Sequence, residues 1–131
     1  MKITKLFRVL CVGSLLPIAA MIAAGPAPIK GILIDKKCSA GAEVRVLSTG
    51  IEGGMVVAEA HTRECALMPA CQKSGYGVFT WDQKFLAFDA AGNKQALAAI
   101  KASKKLGNLE VEVTGEVKGD TIKVASLKMI D

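Results

Sequence analysis

The chain has few of the side chains from which enzyme active sites are usually built. Its 131 residues include one histidine, and aromatic residues make up only 5% of the sequence. A single histidine that stands among cysteines argues against a Ser-His-Asp triad, and no glycine-rich phosphate loop follows a predicted strand. An enzyme is therefore the class of protein that this sequence supports least.

Charged residues are missing from a long stretch near the start of the chain. Basic residues within positions 2–8 are followed by an apolar run that ends at Ala23 and Ala24. A basic start, a short apolar stretch and small residues at its end are typical of a secretory signal peptide. Pro17 interrupts the run, which makes a permanent membrane span the weaker interpretation. We therefore expect residues 1–24 to be removed on export to the periplasm or the medium, with no membrane span in the mature chain.

A strong excess of one charge sign is also missing once that segment is set aside. The chain carries 17 basic and 12 acidic residues, and three basic ones lie in the signal peptide, which leaves 14 against 12. The basic isoelectric point therefore gives no strong signal for nucleic-acid binding. We expect a linker over residues 25–30 and a single domain over residues 31–131, because this length supports one hydrophobic core. Its partner would be an unidentified ligand or protein.

The order of the predicted elements indicates a small barrel. Apolar runs bounded by turn residues predict five strands, and one helix over residues 94–105, capped by Asn93, is predicted between the third and fourth strands. This is the order of the OB-fold, a mainly β, five-stranded, partly open barrel. A two-layer sheet with the helix on one face would give the same order. The strands are predicted at residues 29–35, 76–81, 84–88, 109–114 and 121–130.

The last predicted strand changes phase along its length. Ile122 and Val124 share one face, whereas Leu127 and Met129 have the opposite parity. Either a bulge near Ala125 restores the phase, or the two halves of the strand face different layers. Bulges of this kind bend strands at the corners of small barrels.

The connection between the first two strands has no clear pattern. Residues 44–47 alternate weakly, whereas alanine, glutamate, arginine, leucine and methionine dominate residues 58–68. That composition favours a helix, which Pro69 would end. A return strand near Met55, paired with residues 44–47, is the alternative. We therefore expect a long connection of loop and helix between strands 1 and 2.

Several segments together resemble a known group of proteins. They are an opening segment at residues 31–38 with an Asp-x-x-Cys pattern, a His-x-x-x-Cys-x5-Cys series from His61 to Cys71, and closing strands at residues 111–115 and 121–126. In these segments the chain is similar to a group of uncharacterised small exported bacterial proteins with an OB-like domain. The resemblance implies an OB-like fold and export, and it implies no activity.

Three cysteines and the only histidine are concentrated around the first connection. In a helix over residues 58–68, His61 and Cys65 would lie on one face about one turn apart, with roughly 6 Å between their Cα atoms. Cys71 follows shortly after, and Cys38 ends the strand that leads into the connection. A Cys3His set suits tetrahedral zinc, and soft thiolates also suit Cu(I).

A disulfide is the competing use of the same cysteines, and it is the one that we favour for an exported protein. The spacing lacks the Cys-x2-Cys pairs typical of structural zinc sites. A bridge from Cys38 to Cys65 or Cys71 would close a loop of about 30 residues and stabilise the fold by roughly 3–4 kcal/mol. The sequence thus indicates an exported binding or structural module with a disulfide-stapled first connection. The alternative is a protein that binds Zn or Cu, or performs thiol redox chemistry, through Cys38, His61, Cys65 and Cys71.

Aromatic residues on the second strand offer a weaker candidate site. Tyr76, Phe79 and Trp81 could form a stacking platform of the kind that OB-folds use for single strands or sugars. Aromatic residues at strand spacing more often belong to the hydrophobic core.

Overall fold

Each apolar run of strand character forms a strand, and the chain between them is largely helical. The computed structural model describes residues 25–49 and 51–130, and the predicted signal peptide lies outside the described residues. None of the helices within this part of the chain is both long enough and apolar enough to cross a membrane. The strands are β1 (Ile29–Asp35), β2 (Tyr76–Thr80), β3 (Phe85–Phe88), β4 (Glu110–Lys118) and β5 (Thr121–Met129). The helices are α1 (Lys36–Thr49), α2 (Ile51–Glu59), α3 (Arg63–Ala66), α4 (Pro69–Ser74) and α5 (Ala90–Ala102).

The five strands form one mixed sheet whose two edges pair with each other. The strand order is β1-β2-β3-β5-β4, and β4 pairs with β1, so the strands make a closed ring. Neighbouring strands are antiparallel, except that β3 and β5 pair in parallel. The helix α5 lies between β3 and β4 in the chain. The predicted strands and the predicted place of this helix are confirmed.

A bulge in β5 explains the change of phase in the last strand. Thr114 pairs with Ser126 and Gly115 pairs with Val124, so Ala125 has no partner on β4. One extra residue shifts the side chains that follow it to the other parity. Residues on both sides of the bulge, including Leu127, therefore pack against the same core. Of the two alternatives that the sequence left open, the bulge is the one that the structure contains.

The strand β1 is buried on both of its faces. Leu33 belongs to the larger core cluster, together with residues of β2, β4, β5 and α5. Ile32 and Ile34 point the other way, into a second cluster with Phe79 and residues of α1 and α2. A continuous apolar run is what a strand covered on both faces requires. Each fully buried side chain of this size contributes about 1.5–3 kcal/mol to folding.

The first connection departs from the prediction because it consists of four helices. Residues 44–47, which alternate weakly and belonged to the alternative with a return strand near Met55, lie in α1, and the predicted helix over residues 58–68 is divided between α2 and α3. The division occurs because the Thr62 side chain accepts a hydrogen bond from the backbone N–H of Cys65 and starts a new helix. The expectation of a mainly β domain with one helix outside this connection therefore understates the helical content.

The helix α5 begins earlier than predicted. Its N-cap is Asp89, whose carboxylate accepts a hydrogen bond from the N–H of Gly92, so Asn93 lies inside the first turn. The Asn93 side chain instead accepts a hydrogen bond from the N–H of Tyr76 and donates one to the carbonyl of Phe88. Asn93 thus joins the helix to two strands.

The contact between α5 and β5 leads to a stability prediction. A Cβ added at Gly92 would overlap Cγ2 of Val124 and would lie 2.9 Å from Cβ of Phe88. We expect Gly92→Ala to destabilise the domain by about 1–3 kcal/mol in a urea melt, because the helix must move away from the sheet. The control is Gly41→Ala in α1, where a Cβ meets nothing within 4 Å. That change should stabilise the protein by about 0.5–1 kcal/mol, and equal effects of the two would contradict this packing.

Candidate metal centre

Each of the three described cysteines is the third residue of a helix. Cys38 lies in the first turn of α1, Cys65 in that of α3 and Cys71 in that of α4. Asp35 accepts a hydrogen bond from the N–H of Cys38, at 2.9 Å, and so caps α1 as Thr62 caps α3. The cap residues therefore determine where the thiols of Cys38 and Cys65 stand, whereas α4 has no side-chain cap hydrogen bond.

A buried carboxylate and a buried imidazole form the centre of the site. Asp35 ends β1, and its Oδ2 lies 2.8 Å from Nε2 of His61, which follows α2. The side chain of Asp35 is fully buried and that of His61 is 4% exposed. The Ser74 hydroxyl lies 3.4 Å from Oδ1, the same oxygen that caps α1. Both carboxylate oxygens are therefore engaged by the protein.

Two thiols complete a group that could hold a metal ion. One potential ligand atom from each of Asp35, Cys38, His61 and Cys65 lies within 4.8 Å of the others. The sulfurs of Cys38 and Cys65 are 3.8 Å apart. Two sulfurs bound to a tetrahedral zinc ion at about 2.3 Å stand about 3.8 Å apart, so this separation already fits a shared metal.

Within the part of the chain that the structure describes, the second nitrogen of His61 has no hydrogen-bond partner. A carboxylate only accepts hydrogen bonds, so the Nε2–H of His61 donates to Asp35 and the neutral ring keeps a lone pair on Nδ1. That Nδ1 is buried without a partner among the described residues. An unsatisfied buried polar atom costs about 1–3 kcal/mol, which coordination to a metal would offset. Histidine ligands of metals commonly donate their other N–H to a carboxylate in this way.

The protonation of the free site follows from burial. Burial lowers the pKa of His61, and the Asp35 carboxylate beside it only partly offsets this, so the neutral imidazole is favoured. Burial, the charge of Asp35 and the contact with Cys65 all raise the pKa of the Cys38 thiol. The metal-free site therefore holds a neutral imidazole and a protonated thiol at Cys38, and metal binding would release that proton.

The third cysteine contacts the two thiols of this group but is not a member of the group. Cys71 is buried, and burial raises the pKa of its thiol, with smaller effects from Asp35 and from the thiols of Cys65 and Cys38. It is not one of the four residues whose ligand atoms lie within 4.8 Å of one another. All three described cysteines are free thiols in this structure, because a disulfide bond requires about 2.05 Å between the sulfurs.

Three of the four predicted candidates, Cys38, His61 and Cys65, lie together in this group, although a shared helix does not bring His61 and Cys65 together. His61 precedes α3, whereas Cys65 lies within it. The sequence interpretation missed Asp35 as the partner of His61. The sequence does indicate the capping role of Asp35, because an aspartate that ends a strand can cap a helix that begins directly after it. It carries no local signal for the contact between Asp35 and His61.

The three aromatic candidates do not form a common platform. Tyr76 packs in the larger core cluster and Phe79 in the second cluster, so they lie on opposite faces of β2. Trp81 lies in the turn after β2 and is 50% exposed. Tyr76 and Phe79 are therefore core residues, which was the alternative interpretation.

The single tyrosine links the site to the core and can be titrated on its own. The Tyr76 hydroxyl donates a hydrogen bond to the carbonyl of Ala66 at 2.7 Å. Burial, and then the nearby Asp35 and Cys71, raise the pKa of Tyr76 to about 12 from the usual 10.0. We expect tyrosinate absorbance to appear near pH 12 in the native protein and near pH 10 in denaturant.

The same shift has a consequence for stability. Between these two pH values the unfolded chain has lost the tyrosine proton and the folded chain keeps it, so stability is complete below pH 10 and falls as the pH rises. Tyr76→Phe should remove this part of the pH dependence. A native midpoint near pH 10 would show that the hydroxyl is exposed to solvent.

Comparisons with known proteins add no further residue to the site. No protein-family model, no curated protein and no solved structure matches this chain. The site is therefore identified from the geometry of its own side chains.

Proposed function

We propose that this chain is an exported protein that binds one transition-metal ion in its first connection, and that the ion is Zn²⁺. The ligands would be Cys38, His61 and Cys65, with Asp35 orienting the imidazole. The observation that carries the proposal is the convergence of potential ligand atoms from four residues within 4.8 Å, with Nδ1 of His61 unpartnered. This is a form of the alternative function that the sequence left open.

The mixture of donors favours zinc over copper. Zinc accepts thiolate and imidazole ligands together in tetrahedral geometry. Cu(I) prefers soft sulfur ligands, and a buried imidazole held by a carboxylate adds little to such a site. Binding would also tie α1 and α3 to the end of β1, because the proposed ligands stand on or beside these elements. A metal that binds only the folded chain stabilises it by mass action.

The fold and the export of the chain are part of the proposal. The strand order β1-β2-β3-β5-β4, with α5 between β3 and β4, supports assignment of the ring to the OB-like barrels. The resemblance to small exported bacterial proteins and the signal-like residues 1–24 support export. The α1–α2 pair would then be an addition to the outer face of an OB-like core.

Thiol redox chemistry is the second candidate, and it has one observation of its own. The sulfurs of Cys38 and Cys65 are 3.8 Å apart, and both side chains are partly exposed. An oxidant could therefore join them with a small movement, and the bridge would be one of the two that the sequence suggested. His61 and Asp35 have no necessary role in such a bridge, which is why metal binding is the better account.

Metal binding is tested by titrating purified metal-free protein with Zn²⁺ and Co²⁺. We expect one ion per chain, a rise in melting temperature, and for cobalt the visible bands of a tetrahedral site with a thiolate charge-transfer band. His61→Ala and Cys65→Ser should abolish these bands. Asp35→Asn should weaken binding by about 10–100-fold, because it disturbs the orientation of the ligand rather than removing it. The control is Glu64→Ala, an exposed neighbour of Cys65.

A map of the free thiols distinguishes metal binding from the redox candidate. Thiols should be mapped in protein denatured without a reductant, to show which cysteines are free. Free thiols at Cys38 and Cys65 with no zinc or cobalt binding would overturn the metal proposal. A bridge between Cys38 and Cys65 in the protein as purified would favour the redox candidate.

Export is tested at the N-terminus of protein recovered from an exporting host. We expect the mature chain to begin at Gly25, because the apolar run ends in the small residues Ala23 and Ala24. Intact mass or N-terminal sequencing measures this directly. A recovered chain that still carries residues 1–24 would show that the segment is not a cleaved signal.

A further inference from the structure

We propose that the metal centre keeps one coordination position open toward a surface pocket and binds there a small anionic donor with an apolar body, of the alkyl thiolate class. This inference rests on the proposed metal binding. It goes further because it makes the site a receptor for an external ligand, whereas a purely structural zinc site is closed by four protein ligands.

An open pocket of about 560 Å³ lies beside the site, and the proposed ligand residues Cys38, His61 and Cys65 all line it. Asp35 and Cys71 do not line it. A metal held by the three lining residues would therefore stand at the wall of a space that a small molecule can enter.

Among the described residues, the other side chains near the proposed ligands that could coordinate the metal are Asp35 and Cys71, and neither of them lines the pocket. Asp35 is fully buried, and its oxygens already receive hydrogen bonds from His61 and from the N–H of Cys38. Cys71 is buried and does not line the pocket, its thiol contacts those of Cys65 and Cys38, and it lies outside the group of four close ligand atoms. Three protein ligands with water or a solute in the fourth position is the arrangement of zinc sites that act on other molecules.

The chemistry of the pocket wall indicates which kind of ligand fits. Ile34, Val56, Val57 and Ala60 make most of the wall apolar, and Lys37 is the one charged residue among those that line it. An apolar wall favours a ligand with a hydrocarbon body. The positive charge of Lys37 and of the metal favours a donor that binds as an anion.

Binding of such a ligand exchanges one donor for another. The thiol loses its proton to solvent, its sulfur forms a bond to the metal, and the water that held the position leaves. The three protein ligands keep their bonds, and no electron is transferred.

The probe for this position is 1-propanethiol, added to the Co²⁺-loaded protein. We expect a saturable change in the cobalt bands while the cobalt-to-protein ratio stays constant. The matched control probe is 1-propanol, which has the same body without a thiol and should change nothing.

A pair of variants tests whether the probe enters through the pocket. Val56 lines the pocket and Val44 does not, and each is 63% exposed, so both can be enlarged at little cost to folding. Val56→Trp should weaken propanethiol binding by about tenfold or more by filling the pocket, with cobalt binding retained. Val44→Trp should leave both unchanged.

The possible results distinguish failure of the open coordination position from failure of metal binding itself. If cobalt binds but propanethiol changes no band, or if propanethiol removes the cobalt, the open position is wrong and the metal-binding function stands. If Val44→Trp and Val56→Trp weaken the probe equally, the pocket is not its site and the inference fails. If no cobalt binds at all, both fail together.

Discussion

The buried interaction between Asp35 and His61 is the constraint on which the rest of the first connection depends. One carboxylate ends β1, starts α1 through the N–H of Cys38, and holds the imidazole that follows α2. Because the imidazole is neutral, the contact is a buried hydrogen bond, and removing one partner leaves the other unsatisfied at a cost of about 1–3 kcal/mol. The surface pair of Lys30 and Glu112 contributes no more than about 1 kcal/mol. The buried hydrogen bond therefore has a larger effect than this exposed ion pair on how the chain is arranged.

That arrangement also explains why the connection is folded rather than loose. The outer face of β1 carries Ile32 and Ile34, which would be exposed if the ring of strands stood alone. The helices α1 and α2 cover them, and Met55 and Ala58 are buried in the contact. The apolar area removed from water offsets the conformational entropy that the connection loses on ordering. The thiols are thus held by a packed layer, which gives the site a defined geometry.

The ring of strands could be predicted from the sequence, whereas the connection could not. Local alternation and turn residues predict the strand positions and indicate the change of phase near Ala125. In α2, by contrast, two glycines and two valines are poor helix formers, and the helix exists because its apolar side packs on β1. Tertiary packing of this kind leaves no local pattern. The meeting of His61 and Cys65 was predicted for the wrong reason, since two helix caps bring them together and a shared helix does not.

The two uses of the cysteines, disulfide and metal, make different demands on the same atoms. A disulfide would draw the sulfurs of Cys38 and Cys65 together by nearly 2 Å, whereas a shared zinc ion needs almost no movement. A disulfide would also leave Nδ1 of His61 buried and unsatisfied. A metal ion would accept that lone pair, and Asp35 would then orient the imidazole as a metal ligand. The imidazole therefore favours the proposed metal over a disulfide, because a metal would give a role to a histidine that is buried, neutral and hydrogen-bonded to a carboxylate.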